Sequence, residues 1–220
     1  MNKIVGEGEL FKKILGAEWK KLHPDIQRRF DKNPLPGKPL FYSGSLSELS
    51  CSRIGKLLGH LTRPFIQGAL IPYTDHDFPV HIQVYSSENC DHIFKQRNYC
   101  LHGRKPIQFT SYMRESERGE VLEYVGFGLG MKLVLDVREG NLYFTSDGYF
   151  WEVLGKRIPL PDWLTPGKTF LRHCNDAPNA FNIRIEIIHP WFGLTFRQVG
   201  AFREITPQEY DSYVETREAA

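Results

Sequence analysis

Hydrophobic residues recur with helical spacing at the start of the chain. Between Leu10 and Leu22 they return at intervals of three and four residues with lysines between them, which predicts an amphipathic helix. Pro24 suits the first turn of a second, short helix. Turn residues over 33–37 end this region, so we expect an N-terminal helical flank over residues 1–36.

After Gly37 the hydrophobic period changes to two residues, which is typical of strands with one buried face. About nine or ten such segments follow, joined by short turns, as expected for a curved sheet, a sandwich or a barrel. A proline-rich segment over 158–167 does not suit the interior of a sheet, so we expect it to cross outside the strands. The clearest alternation falls in Val80–Val84, Ile107–Met113, Val121–Val125, Met131–Val137 and Phe181–Ile187.

One helical pattern interrupts the strands near residues 52–61. Ser52 is suited to cap it, and leucines recur along one face beside Arg53 and Lys56. A helix of two to three turns binds a membrane surface weakly unless a second anchor helps it. We therefore expect its apolar face to cover one end of the sheet.

The predicted fold is mainly β (α+β): a strongly curved antiparallel sheet or β-barrel with N-terminal helices packed on it. The β domain spans 37–206, the residues 207–220 form a C-terminal tail, and the whole is a single domain. Aromatic residues make up 13% of the chain, which favours sheets and apolar pockets. An enclosed apolar cavity is the expected consequence.

Composition and charge exclude several classes of protein. With 41% hydrophobic and 25% charged residues the chain is globular, and its net charge of +2 gives no bulk reason to expect nucleic acid as a partner. No apolar run is long enough for a signal peptide or a membrane-spanning helix, so we expect a cytoplasmic protein without stable membrane insertion. The four widely spaced cysteines then indicate reduced thiols.

A glycine cluster and two Cys-x-His patterns are the candidates for cofactor or metal binding. Gly126-Phe127-Gly128-Leu129-Gly130 leads from one strand into another, so it lacks the helix N-terminus that a dinucleotide site requires and indicates a sharp bend or bulge. Cys90-Asp91-His92 and Cys100-Leu101-His102 repeat a Cys-x-His pattern that differs from the usual zinc spacings. We predict no cofactor and no metal.

A family resemblance extends over roughly residues 15–203 and is carried by six segments: Leu15–Leu22, Ser52–Gly59, Pro106–Ser111, Gly128–Leu133, Ile158–Leu164 and His189–Leu194. These segments resemble a bacterial family known as domain of unknown function 4166. The family occurs alone or behind a saccharopine-dehydrogenase-like domain, so the resemblance implies a possible dehydrogenase partner and supplies no catalytic residues. No such domain is expected within these residues, so the resemblance implies no nicotinamide-linked activity for them.

Four polar residues are candidates for a site inside the sheet. Glu123 falls between two valines on an expected apolar face, where desolvation would raise its pKa, unless the register is reversed and Glu123 faces water. Arg97 interrupts an apolar strand, which indicates either a side chain that enters a cavity or an edge strand. Tyr112 and His173 complete the candidate ligand-binding set.

The main functional hypothesis is binding of a small hydrophobic molecule, lipid-like or a metabolite, in the cavity of the barrel. An alternative is a cofactor-free isomerase, cyclase or hydrolase that uses the same pocket, and it would require two of the candidate side chains to converge within hydrogen-bond reach. A third alternative is a partner module for a dehydrogenase. The sequence contains no nucleophile motif that selects a reaction.

Overall fold

The computed structural model describes residues 6–66, 68–87 and 92–218, with side chains as far as residue 213. Four α-helices and eleven strands are found in this part of the chain. They are α1 (Glu7–Leu15), α2 (Pro24–Asp31), β1 (Leu40–Cys51), α3 (Arg53–Thr62), β2 (Phe78–Ser86), β3 (Ile93–Tyr99), β4 (Ile107–Glu115), β5 (Val121–Gly126), β6 (Leu129–Arg138), β7 (Asn141–Val153), β8 (Lys156–Leu160), β9 (Lys168–Ala177), β10 (Ala180–His189), β11 (Gly193–Ile205) and α4 (Pro207–Glu218). Two short 3-10 helices, Gly16–Lys21 and Asp162–Leu164, complete the set.

Ten of these strands close into an antiparallel barrel, which confirms the predicted fold class. The strands pair in chain order from β1 to β7, then through β9, β10 and β11, and β11 returns to pair with β1 along almost its whole length. The remaining strand, β8, adds to the far half of β7 as an extra strand. Closure leaves β3 between β2 and β4, so Arg97 does not lie on an edge strand.

Alternation along the strands divides the side chains between the inside and the outside of the barrel. On β3 the residues Lys95 and Arg97 face the interior, where they line cavities. On β5 Glu123 faces inward, while Leu122 and Tyr124 pack in a separate cluster on the outside. Glu123 is buried, so the register that would place it in water is not adopted.

The N-terminal helices cover one end of the barrel. Their apolar positions pack on the strand ends in one cluster, and Phe11 and Ile26 are fully buried in it. The cluster joins α1, the first 3-10 helix and α2 to the ends of β4, β5, β6 and β7. We call this the N-terminal end of the barrel, and the opposite end, beside α3, the α3 end.

Several segments differ in detail from the sequence-based expectation. The proline-rich segment begins as the strand β8, in which Pro159 pairs with Phe150, because an edge strand tolerates a missing backbone N–H. The residues after 206, expected as a tail, form the helix α4. The bend predicted at the glycine cluster is confirmed: Gly128 has φ +74°, and a Cβ there would lie 2.3 Å from the carbonyl oxygen of Glu152.

Helix α3 makes its closest contacts through glycines, with Leu58 packed beside them. Its cap is the predicted one, since the Ser52 hydroxyl accepts a hydrogen bond from the Gly55 N–H at 3.1 Å. A Cβ on Gly55 would lie 2.2 Å from the Thr195 carbonyl oxygen, so only glycine permits this approach. Leu58 packs against the core, whereas Leu57 and Leu61 are exposed, so only part of the apolar face of this helix covers the sheet.

This packing predicts the sign of a helix substitution. Gly55→Ala raises helix propensity by about 1 kcal/mol, yet the new methyl group meets backbone that cannot move away cheaply. We expect the variant to lower the free energy of unfolding by about 1–3 kcal/mol in urea titrations. Leu57→Ala, on the exposed side of the same helix, serves as the control and should change it by less than about 0.5 kcal/mol. A more stable Gly55→Ala variant would contradict the close contact.

Candidate functional site

The interior of the barrel contains two adjacent cavities. The cavity at the α3 end has a volume of about 260 Å³, and the cavity at the N-terminal end about 130 Å³. Arg97, Glu123, Leu171 and Ile185 line both of them. These four side chains therefore form the boundary between the two cavities, halfway along the barrel.

Apolar side chains dominate the larger cavity. Leu129, Met131 and Ile187 contribute to its wall, and α3 and the segment around Leu164 also border it. Among its polar groups, the Tyr149 hydroxyl bonds the Gly167 carbonyl oxygen at 2.9 Å and the Thr169 hydroxyl at 2.6 Å. Burial raises the pKa of Tyr149 to about 12, so the phenol is neutral at physiological pH. The wall of the larger cavity is thus mainly apolar.

Cationic side chains surround the smaller cavity. The Lys95 ammonium lies 2.7 Å from a carboxylate oxygen of Glu7, and both side chains are largely buried. Lys32 forms an ion pair with Glu204 at 2.5 Å. Arg29 enters from α2 and has no carboxylate within ion-pair distance among the described residues. Among the described residues around the smaller cavity, Arg29 is thus a cation that no ion pair balances.

Arg29 is held in place by neutral groups. One guanidinium nitrogen donates to the Ala180 carbonyl oxygen at 3.0 Å, and the guanidinium carbon lies 4.2 Å from the centre of the Phe181 ring. Burial lowers the pKa of Arg29. The side chain nevertheless stays charged, because an arginine pKa begins far above neutral.

His173 lies beside Arg29 with one unsatisfied ring nitrogen. Only 7% of its surface is exposed, and its ring stacks on Phe181 with centroids 4.7 Å apart. Burial, helped by the charges of Arg29 and Lys95, lowers the pKa of His173 to about 3. The ring is therefore neutral at pH 7.

The contact with Arg29 assigns the tautomer of His173. The guanidinium can only donate, and it lies 3.4 Å from Nε2, so Nε2 accepts and the proton sits on Nδ1. Nδ1 has no hydrogen-bond partner from another described residue. A buried N–H donor without an acceptor is costly, and a bound acceptor atom would satisfy it.

A hydrogen-bonded chain of three side chains crosses the boundary between the cavities. Arg97 donates to the Ser111 hydroxyl at 3.1 Å, and Ser111 donates to a carboxylate oxygen of Glu123 at 3.0 Å. The opposite charges of Arg97 and Glu123 compensate each other through this hydroxyl. No direct hydrogen bond joins Arg97, Glu123 and His173 in the described part of the chain.

Three of the four predicted residues reach the interior. Arg97 and Glu123 line both cavities and His173 the smaller one. Tyr112 lies on the outer wall, stacked between His92 at 4.7 Å and Tyr124 at 5.0 Å. Since neither cavity includes Tyr112, we leave it out of the site.

Two important residues were not singled out from the sequence. Arg29 follows the polar pattern of a surface helix, so nothing in its spacing indicates that it turns into a cavity. Glu7 precedes the predicted helix and becomes interior only through the docking of α1. The interruption of a strand by Lys95 was a usable signal, since it shares the inner face with Arg97.

The described residues contain no group of three potential ligands arranged for a metal ion. Cys90 of the first Cys-x-His pattern lies outside the described residues, and His92 stacks on Tyr112. Among the helices of the described ranges, none combines the length and the apolar character needed to cross a membrane.

Comparison with known proteins gives a family and one relative of matching length. One relative is the uncharacterized protein YndH of Bacillus subtilis (strain 168). It is 27% identical over 193 residues, and the match covers 83% of this chain and 91% of the relative. No solved structure matches the chain. The family model described as "Domain of unknown function (DUF4166)" matches residues 22–202, most of the barrel with α2 and α3, and the chain therefore belongs to this family.

Proposed function

We propose that the barrel binds one amphipathic, lipid-like small molecule with an acidic head group. The head group contacts Arg29 and His173 in the smaller cavity, and the aliphatic part extends past the boundary residues into the larger one. The observation that supports this most directly is the pair of unmatched donors at one end of an apolar space: a guanidinium without a carboxylate and an imidazole N–H without an acceptor.

A carboxylate complements these two groups in charge and in hydrogen-bond type. Its oxygens only accept, whereas the guanidinium of Arg29 and the Nδ1–H of His173 only donate. Removing Arg29 from water without a counter-ion is unfavourable, and a bound anion restores the balance. The same arrangement discriminates against an uncharged head group, which leaves the guanidinium unpaired.

The remaining cavity wall suits a hydrocarbon chain. Leu40, Ile82 and Val84 line one side of the smaller cavity, and Leu171 and Ile185 continue the apolar wall into the larger one. Removal of apolar ligand surface from water contributes about 25 cal/mol per Å². A chain of several methylene groups therefore adds substantially to the affinity that the head group supplies.

Filling the boundary between the cavities should abolish binding. Ile185→Trp places an indole where the ligand passes, and we expect the affinity for a dansyl-labelled fatty acid to fall by more than about tenfold. Ile188→Trp, on the exposed side of the same strand, is the matched control and should leave the affinity unchanged. Urea unfolding of both variants checks that the barrel is intact. Equal affinities for the two variants would place the ligand outside the barrel.

The head-group contact is tested by a charge-neutral variant. Arg29→Gln should weaken binding of decanoate by about 10–100-fold, because a charge-assisted hydrogen bond is lost. The affinity for decanol should stay nearly the same, since decanol makes no ion pair. Arg28→Gln provides the control, because Arg28 is exposed and pairs with Asp25. A similar loss for acid and alcohol would show that Arg29 acts only through packing.

The buried neutral His173 also predicts how stability depends on pH. Its folded-state pKa, about 3, lies below the unfolded value of 6.5, so the unfolded chain binds the extra proton first as the pH falls. The stability that this group contributes is complete above about pH 6.5 and is lost progressively toward pH 3.

Urea unfolding across this pH range measures the effect. Between pH 7 and 5 we expect the unfolding free energy of the wild type to fall by about 1–2 kcal/mol more than that of His173→Phe. His76→Asn, at an exposed histidine, should follow the wild type. Parallel curves for the wild type and His173→Phe would mean that His173 titrates normally in the folded protein.

A further inference from the structure

The α3 end of the barrel has an exposed apolar stripe along one helix. Because α3 packs through Gly55 and Gly59, two of its three leucines, Leu57 and Leu61, turn outward. Leu57 is 56% exposed and Leu61 62%, and Phe65, one turn further on, is 60% exposed. These positions lie four residues apart, so they form a single line on the outer side of the helix and the turn that follows it.

Aromatic side chains from three other connections extend this apolar surface. Phe127 of the β5–β6 turn lies 5.5 Å from Phe65 and 6.2 Å from Trp151, measured between ring centroids. Across the end of the barrel, Trp163 and Trp191 stack with centroids 6.5 Å apart. All five rings are exposed. Exposed groups of large apolar side chains such as these mark a contact with another apolar surface or phase.

The same end of the barrel is basic, although the chain as a whole is nearly neutral. α3 contains Arg53 and Lys56, both exposed, and no acidic residue. In the connections at this end, lysine and arginine outnumber acidic residues by five to three. The basic residues are Arg53, Lys56, Arg63, Arg104 and Lys105, and the acidic ones are Asp75, Asp77 and Asp162.

We propose that the α3 end docks on the surface of an anionic lipid bilayer. Tryptophan and phenylalanine favour the interface between lipid head groups and acyl chains, and lysine and arginine are attracted to anionic lipid. A short helix such as α3 needs a second anchor, and the rings of Phe127, Trp163 and Trp191 provide it. The protein lies on the membrane through these side chains and does not cross it.

The position of the larger cavity favours a bilayer over a protein partner. Leu58 and Ile66, beside the exposed stripe, line that cavity, and so do Leu164 and Pro166 beside the tryptophan pair. The two apolar groups of the docking surface therefore flank the end of the barrel at which the larger cavity lies. A bilayer on this surface would place lipid directly against the apolar interior.

Vesicle co-sedimentation of the full chain tests the docking surface. We expect the wild type to bind phosphatidylcholine vesicles containing phosphatidylglycerol at least about tenfold more tightly than pure phosphatidylcholine vesicles. Arg53→Glu/Lys56→Glu should reduce binding to the anionic vesicles by at least about tenfold. Lys20→Glu/Lys38→Glu changes the net charge equally with exposed residues remote from α3, and it should bind like the wild type.

Tryptophan fluorescence reports which end of the barrel meets the lipid. Three of the four tryptophans, Trp151, Trp163 and Trp191, lie at the α3 end and are exposed, whereas Trp19 is buried at the other end. We expect a blue shift on binding and strong quenching by lipids brominated near the head group. Leu57→Ser/Leu61→Ser, whose folding is checked by circular dichroism, should weaken vesicle binding by at least about tenfold.

Three results would overturn the proposal. The first is that the wild type does not bind anionic vesicles. The second is that Arg53→Glu/Lys56→Glu and its remote control Lys20→Glu/Lys38→Glu lose vesicle binding equally. The third is a concentration-dependent dimer that Leu57→Ser/Leu61→Ser abolishes. The last would assign the surface to a second copy of the chain. The readouts do not depend on ligand affinity, so failure here would leave the proposed function standing, and loss of ligand binding would leave the docking result unaffected.

Discussion

Charged side chains on the inner wall of a closed barrel must find their counter-charges inside it. The closed wall of the barrel separates an inward-facing side chain from water, and burial of an unpaired charge is strongly unfavourable. The barrel satisfies this constraint for Lys95 through Glu7 and for Arg97 through Ser111 and Glu123. Arg29 alone among the charges described around the smaller cavity lacks an anionic partner there. The proposed ligand follows from this imbalance.

The two ends of the barrel have opposite characters, which gives the interior a direction. The N-terminal end is covered by helices whose apolar side chains pack tightly, and its cavity is small and cationic. The α3 end has a larger, apolar cavity and an exposed aromatic and basic rim. An amphipathic acid fits this gradient in one orientation, with its head toward the helices and its chain toward the rim. The proposed ligand and the proposed membrane surface are thus consistent with one another, although they rest on different residues.

The main features of the fold could be predicted from the sequence because they depend on local patterns. Twofold alternation identified most strands, and the Ser52 cap located α3. The register of β5 was open, since both faces of that strand are buried: Val121 and Glu123 line the inside, and Leu122 and Tyr124 pack in an outer cluster. The orientation of α3 was predicted only in part. Leucines normally mark the buried face, whereas here the close approach to Thr195 requires glycine at the contact and leaves Leu57 and Leu61 exposed.

The site was only partly predictable for a related reason. Glu123 and Arg97 stood out as charges in apolar strands, and a closed barrel left the interior as the place for both. Tyr112 belongs to the outer face, because it is one residue out of phase with Ser111. Arg29 could not be identified, because its role depends on where α2 docks, and no pattern within α2 encodes that contact.

The central claim is that the hollow of the barrel, rather than its surface, receives the ligand. Nuclear Overhauser contacts between carbon-13-labelled decanoate and the methyl groups of the protein test it most directly. The account predicts contacts from the labelled chain to Leu171 and Ile185, which line both cavities. Contacts confined to Leu57, Leu61 and the other exposed residues of the rim would contradict it, because the acid would then bind only at the surface.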